Sequence, residues 1–339
     1  MSSVAIVILN YNGVSLLQRY LPQVVQHHKS HRIYIIDNHS TDESVQWICQ
    51  NYPQISVIQN KENYGFAKGY NEGLKHISAD YYVLMNNDIR PTENWLNPII
   101  DFMEKHPDVA VCMPKLLDDK QPDKFEYAGA CGGFIDVLGY PFCKGRVFLS
   151  VEKDEGQYDE TSEIFWATGA CMVIKSKLFW EVGGLDDDFF AHMEEIDLCW
   201  RVKNIGYKVY VYPHSRVYHL GGGTLNKINP HKTYLNFRNS LLTLVKNHPE
   251  KNLFLKILLR LLLDGVAGIK FLLEGHGKHT WVVIQAHWYF YRNFKKFWNK
   301  RKTFEKNHSV SYCFSPVLHK SIVVQHYIKG IKKYSDLPF

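Results

Sequence analysis

Nothing in the 339 residues supports a disulfide framework or a zinc knuckle. The seven cysteines (Cys49, Cys112, Cys131, Cys143, Cys171, Cys199 and Cys313) are odd in number, scattered and free of any C-x-x-C pair. They read as reduced thiols of the cytoplasm. Ser-, Gly- or Pro-rich tracts, low-complexity runs and fixed-period repeats are also missing, so with 45% hydrophobic and 14% aromatic residues the chain is expected to fold around a substantial core. The opening MSSVAIVILNYNG has no basic leader and no small-residue cleavage site, and its short apolar run reads as a buried strand rather than a signal peptide. No long apolar run is free of charge. The nearest, LFLKILLRLLLDGVAGIKFLL (253–273), carries Lys256, Arg260 and Asp264, each costing about 2.5–3.5 kcal/mol in the middle of a membrane span. Their four-residue spacing makes one polar stripe with leucines over the rest, which predicts a helix lying in a membrane interface.

The net charge of +6 conceals a division. Residues 231–339 hold 19 Lys/Arg and 5 Asp/Glu, a net +14, against 21 and 29 in the remainder, a net −8. The two parts are expected to face different partners.

VAIVIL (4–9), RIYIID (32–37), ISVIQN (55–60) and DYYVLM (80–85) read as buried parallel strands. Helical stretches at 14–28, 43–51 and 66–77 separate them, the second opened by the cap signal Ser40-Thr41-Asp42-Glu43. This alternation predicts an α/β layer fold with ligands at the carboxyl ends of the strands. Beyond residue 90 the pattern predicts a helix at 95–106, a strand at 109–113 and an irregular stretch at 118–160 that we assign to acceptor-binding loops. A strand at 170–175, helices at 176–182 and 194–205 and a strand at 207–212 follow, and helical periodicity takes over from Lys232.

Polar residues gather where the strands end. Asp37 closes the second strand, where a carboxylate can accept the imide N–H of a pyrimidine; the same string, Asp37-Asn38-His39-Ser40-Thr41-Asp42, also reads as a plain strand-to-helix turn. Asn63-Tyr64-Gly65-Phe66-Ala67-Lys68-Gly69-Tyr70-Asn71 mixes small and polar residues at a helix start, suited either to backbone N–H contacts with phosphate or to tight packing. Asn86-Asn87-Asp88 follows a strand, and Asp88 can hold a hard divalent cation, Mg²⁺ or Mn²⁺, if a diphosphate and a second side chain complete the shell. His219, in Val217-Tyr218-His219-Leu220-Gly221-Gly222-Gly223-Thr224 after the strand end Tyr212-Pro213-His214, is a candidate for that second ligand. The Gly run leaves room for phosphate. Asp187, Asp188, Glu194 and Glu195 are too many acids for a featureless turn, because neighbouring buried carboxylates repel unless something compensates them. One beside a reaction centre can act as general base. Asp197 and Arg201, four apart on a helix, read as a structural pair.

Taken in order, VAIVILNYNG, IIDNHSTDES, ENYGFAKGYNEGL, VLMNNDIRP, FWATGACMVIK, GGLDDDFFAHMEEIDLCWR and HLGGGT resemble family 2 glycosyltransferases of the GT-A fold, especially the bacterial rhamnosyl- and galactofuranosyl-transferase-like branch. The resemblance spans about residues 4–224. It implies a Rossmann-like, mainly parallel sheet flanked by helices over 1–230 (a nucleotide-sugar half to about 110, an acceptor and base half beyond), with 231–339 as a basic, amphipathic helical extension. It further implies that Asp37 binds the base, with Leu9, Tyr11 and Asn12 lining the nucleoside site and Asn63, Lys68 and Asn87 beside the donor. Asp88 and His219 would hold the metal, Trp166, Gly169 and Ala170 would form the wall between donor and acceptor, and Glu195, with Glu194 beside it, would be the catalytic base. Two departures stand out: Asn86 where the family's metal motif has Asp, and Glu at the base position where Asp is commoner.

The implied reaction is inverting transfer from a UDP- or dTDP-sugar to a glycan or lipid-linked acceptor in cell-surface polysaccharide synthesis. A catalytically silent nucleotide-sugar-binding scaffold on the same fold is the alternative. WYFYRNFKKFWNKRK (288–302) interleaves aromatics with cations, which suits anionic headgroups and also single-stranded nucleic acid. Because an acceptor on a membrane lipid gives docking a use, lipid is preferred and no nucleic acid is expected. The expected location is the inner face of the cytoplasmic membrane, with contact through 253–302; a plain helical cap or a dimer interface is the blander reading.

Overall fold

The computed structural model describes residues 2–27, 30–221, 229–249, 251–312 and 315–339. Strands β1 (Val4–Asn10), β2 (Arg32–Asp37), β3 (Ser56–Gln59) and β4 (Tyr81–Asn86) alternate with helices α1 (Val14–His27), α2 (Ser44–Asn51) and α3 (Gly65–Leu74). These strands pair in parallel, β3-β2-β1-β4, and β1 is buried along nearly its whole length, as expected of a strand covered on both faces. After β5 (Ile89–Pro91), α4 (Leu96–Lys105) and β6 (Val109–Asp118), the chain builds β7 (Gly133–Asp136), β8 (Pro141–Cys143), β9 (Arg146–Val147) and β10 (Ser150–Val151). It returns through β11 (Ser162–Ile164), β12 (Cys171–Lys175), α5 (Ser176–Glu181), α6 (Glu194–Asn204) and β13 (Lys208–His219). Last come α7 (Pro230–Asn247), α8 (Leu253–Leu273), α9 (Gly277–Asn307), β14 (Val317–Leu318) and α10 (Ile322–Tyr327). Among the described residues the large sheet runs β11-β13-β6-β12-β4-β1-β2-β3, with β5 paired to β13. Antiparallel β12 joins β4 to β6, so the two ordered blocks of sequence share one sheet.

Two expectations need correction. The stretch 118–160 is not simply loops, since β7 to β10 and the distant β14 form a second sheet in the order β10-β9-β8-β7-β14. Strands of two to four residues are too short for alternation to show. Nor does the last strand end at Tyr212: β13 continues to His219. Pro213 has no N–H to give the ladder, and the register with β6 shifts between Tyr212 and Arg216 before pairing resumes.

The helices after residue 230 are fixed to this body. Arg260 and Asp264 are each 1% exposed, so the polar stripe of α8 turns inward. The Arg260 guanidinium donates to the Leu138 carbonyl and the Ser240 hydroxyl and lies 3.6 Å from the Tyr140 ring centroid; Asp264 accepts from the Tyr140 hydroxyl. The apolar side turns outward. Phe254, Leu258, Leu262, Val266, Ile269 and Leu273 are all more than half exposed. No helix among the described residues is long and apolar enough to cross a membrane. The six described cysteines are free thiols, and Cys313 lies outside the described residues.

Candidate active site

The antiparallel pairing of β5 with the end of β13 sets His219 opposite Ile89 and therefore beside Asp88. Their side chains meet at 3.0 Å, Nε2 to Oδ1, and both are buried. On the far side of the ring the Glu126 Oε1 stands 3.2 Å from Nδ1, off its bonding direction, and Nδ1 has no hydrogen bond among the described residues. Glu126 is itself held by the Ala128 N–H at 2.6 Å. Burial opposes a charge on His219, but Glu126 and Asp88 outweigh it and lift the imidazole to about 10. No group of three or more metal-ligating side chains stands together as a closed cage among the described residues. One carboxylate and one imidazole at contact distance nevertheless fit, by the chemistry of their donor atoms, a divalent cation whose remaining ligands come from a diphosphate. Gly222, Gly223 and Thr224 lie outside the described residues.

The second corner is the start of α6. Glu194 is 4% exposed and Glu195 half-buried, and each has an Oε2 shielded from solvent without a hydrogen-bond partner among the described residues. Burial pushes Glu195 up to about 7; burial and the neighbouring Glu195 push Glu194 well above the usual carboxylate range. Gly169 lets Glu195 come close: a β-carbon there would sit 3.7 Å from that of Glu195 and 3.1 Å from the Phe66 ring. One residue on, the Ala170 carbonyl accepts from the Asn86 N–H at 2.9 Å. The Glu194-Glu195 corner and the end of β4 thus meet across the Gly169-Ala170 backbone.

The turn leading into α6 is strained, with positive φ at Phe190, His192 and Met193. Asn239 on α7, wholly buried, holds it by donating to the carbonyls of Phe189, Ala191 and His192 at 3.1, 2.9 and 2.7 Å, and Arg238 donates to those of Asp188 and Phe189. The preceding acids are compensated by the tail. Lys246 and Lys300 pair with Asp186, Lys296 and Lys300 with Asp188, all within 2.6 Å, while Asn71 donates to Asp187. Although burial pushes Asp186 up, the two lysines hold it below the usual carboxylate range. Asp197 takes Arg201 on one oxygen and Lys246 and Asn247 on the other, which makes the i, i+4 pair structural as expected. We expect Asn239→Ala to lower kcat by about tenfold or more through misplacement of the loop, with nucleotide-sugar affinity unchanged; steady-state kinetics beside donor titration would check it.

At the other end, Asp37 is 1% exposed and accepts from the Ser40 hydroxyl (2.6 Å), the Ser40 N–H (2.8 Å) and the Asn10 amide (3.1 Å). Asn10 in turn accepts from Asn87 at 2.9 Å, which ties the nucleoside end to the metal strand. Asn12 has φ +48° and its amide oxygen accepts from the Thr41 N–H, joining the loops after β1 and β2. Leu9 is half-buried and Tyr11 exposed beside them. Asn63 caps α3 by accepting from the Gly65 N–H, and the Lys68 ammonium lies 4.0 Å from the Tyr64 ring centroid. The α3 start corrects one expectation: the Phe66 and Ala67 N–H groups both donate to the Phe190 carbonyl, so they are not free for phosphate. Trp166 stands behind the wall rather than on it. It is 3% exposed, donates to the Phe134 carbonyl at 2.9 Å and fills the space that a β-carbon at Gly133 would need.

The sequence profile of glycosyl transferase family 2 matches residues 5–183, more than half of the chain. This chain is a family 2 glycosyl transferase. Its fold is GT-A, extended by C-terminal helices. It is 23% identical over 269 residues to the N-acetylglucosaminyl-diphospho-decaprenol L-rhamnosyltransferase of Mycobacterium tuberculosis, covering 74% of this chain and 83% of that one. It is also 23% identical over 219 residues to the low-salt glycan biosynthesis hexosyltransferase Agl10 of Haloferax volcanii, covering 61% and 65%. Among solved structures it superposes on GalNAc-T7 with UDP, GalNAc and Mn²⁺ (TM-score 0.57, 16% identity, 73% of this chain and 48% of that one). It superposes likewise on the mannosyltransferase PcManGT of Pyrobaculum calidifontis with GDP-Man and Mn²⁺ (TM-score 0.52, 14% identity, 91% and 86%).

Three residues around the candidate site carry no sequence signal. Glu126 sits in a stretch without periodicity, and Arg238 and Asn239 on a helix that no motif marks. Only the excess of acids at 187, 188, 194 and 195 hinted that compensating groups had to come from elsewhere.

Proposed function

We propose that this transferase moves a sugar from a UDP- or dTDP-sugar to a hydroxyl of a glycan or lipid-linked acceptor, with inversion, in cell-surface polysaccharide synthesis. The observation that carries the reading is the pair of buried Glu194 and half-buried Glu195, one backbone segment away from Asp88 and His219. Glu195 takes the proton of the acceptor hydroxyl as that oxygen attacks the anomeric carbon from the face opposite the nucleotide. The bond from the anomeric carbon to the diphosphate oxygen breaks in the same displacement, so no glycosyl-enzyme forms. Mg²⁺ or Mn²⁺ held by Asp88 and His219 would supply positive charge against the departing diphosphate. Asp37, Leu9, Tyr11 and Asn12 take the nucleoside, and Asn63, Lys68 and Asn87 flank the donor. The relative that acts on a decaprenol-linked substrate favours a lipid-linked acceptor.

A thermal-shift screen of UDP-, dTDP- and GDP-sugars with Mn²⁺, followed by donor hydrolysis, tests this reading. Stabilisation by one donor class and turnover of it are expected. Absence of turnover for every donor, with Glu195→Ala indistinguishable from wild type, leaves only the scaffold role.

For the membrane, α8 offers an outward apolar face on a tail of net +14. Each exposed leucine gains roughly 1.5–3 kcal/mol on full burial, and surrounding cations favour an anionic leaflet. We propose peripheral docking on the inner face of the cytoplasmic membrane through 253–302. Leu258→Glu with Leu262→Glu, both at exposed positions, is expected to abolish co-sedimentation with phosphatidylglycerol vesicles; pelleting at the wild-type level would refute docking.

A further inference from the structure

An open groove of about 1230 Å³ lies between α7 and α9. His231 and Tyr234 of α7 and Trp281, Trp288, Tyr289 and Arg292 of α9 line it, and no Asp or Glu is among the lining residues. One end reaches the catalytic turn. The Arg238 guanidinium lies 5.3 and 4.9 Å from the ring centroids of Tyr234 and Tyr289, and the same group donates to the carbonyls of Asp188 and Phe189. His192, in that turn, has an Nε2 shielded from solvent without a hydrogen-bond partner among the described residues, and burial with Lys232 nearby lowers its imidazole to about 4. The other end is apolar and open, with Trp281 and Trp288 both at least 60% exposed. Ile284 and Tyr291, also exposed, fall on α9 between these tryptophans and the side chains that meet α8, Thr280 and His287. One apolar surface therefore runs from the outward face of α8 into the groove.

We propose that the groove seats the stem of a lipid-linked acceptor, an apolar isoprenoid-type chain along Trp281 and Trp288 with its anionic diphosphate at Arg292. This rests on the glycosyl transfer reading above and names the class of acceptor. Three features select that occupant over a second protein chain. The lining is cationic and aromatic with no acid, the apolar end is continuous with the α8 face, and the inner end lies one arginine from the turn that carries Glu194 and Glu195. A diphosphate held there would leave the sugar attached to it pointing towards the base.

Titration calorimetry of the full chain with farnesyl diphosphate, beside inorganic pyrophosphate, tests the assignment without vesicles. Farnesyl diphosphate is expected to bind at least about tenfold more tightly than pyrophosphate, because the chain adds burial against aromatic rings. Trp288→Ala and Arg292→Ala, both at exposed positions, are each expected to weaken it by about tenfold, while stabilisation by the donor with Mn²⁺ stays at the wild-type level. Wild-type affinity in both variants overturns the proposal, as does pyrophosphate binding as tightly as farnesyl diphosphate. Groove-dependent binding in a chain that turns over no donor would keep this inference and defeat the transfer reading. Transfer to a soluble sugar acceptor without any farnesyl diphosphate binding would do the reverse.

Discussion

Glu195→Gln lowers kcat by roughly 10²–10⁴-fold, the range expected on removing a general base, and leaves the donor-induced thermal shift unchanged. Glutamine keeps the volume at a half-buried position and removes only the ability to accept a proton. Of the two neighbouring acids, Glu195 is the one that faces the Gly169 wall, and burial brings it to about 7, where an appreciable fraction is ionised at neutral pH. Glu194 is more deeply enclosed, and burial and the charge of Glu195 push it well above the usual carboxylate range. The base works only when deprotonated. Activity is therefore present above the Glu195 pKa and lost as pH falls through it, which places the acid limb of kcat/KM near 7. Glu194→Gln, by contrast, leaves the Gly169-facing carboxylate in place and keeps most of the turnover. A Glu195→Gln enzyme with wild-type turnover would move the base role to Glu194 or Asp187; Asp186 and Asp188 are excluded from it by their lysines.

Asp88→Ala has the second largest expected effect, about a thousandfold loss of kcat/KM, because the charge that a bound cation sets against the diphosphate is worth several kcal/mol. His219→Ala should behave in the same way. The two side chains touch at 3.0 Å, and residues that act as one unit are not additive, so the double variant should be little worse than either single one. The measurement is paired. Each variant is assayed for transfer and for Mn²⁺-dependent stabilisation without donor, and both signals should fall together. Loss of transfer with Mn²⁺ stabilisation retained would take the metal away from this corner.

Much of the parallel half was legible because its strands are buried on both faces and end abruptly in polar residues, as DYYVLM does before Asn86. The Asp88–His219 pairing was reachable only by seeking a second ligand, since the two residues lie far apart in sequence and are joined by a strand that continues past a proline. What stayed hidden is cooperative. Asn239 has no local signature, because its role depends on three carbonyls of a turn some fifty residues away. The α8 stripe was read correctly as a stripe, but periodicity does not say whether a polar face meets water or, as here, Tyr140, Ser240 and Leu138. The N–H groups at the α3 start looked available for a ligand because the Phe190 carbonyl that takes them comes from another part of the chain.

The lysines that neutralise Asp186 and Asp188 reside at 246, 296 and 300, and this gives synthesis of the enzyme a direction. During translation the sheet and the Asp88 strand leave the ribosome well before these cations do. The acidic turn that leads into Glu194 and Glu195 can settle only after α9 has emerged, although the large sheet already has all its strands. A chain released early, at the end of β13, would keep the residues proposed for donor and metal and lack the clamp that holds Glu195. Activity is thus withheld until the last third of the polypeptide has been made.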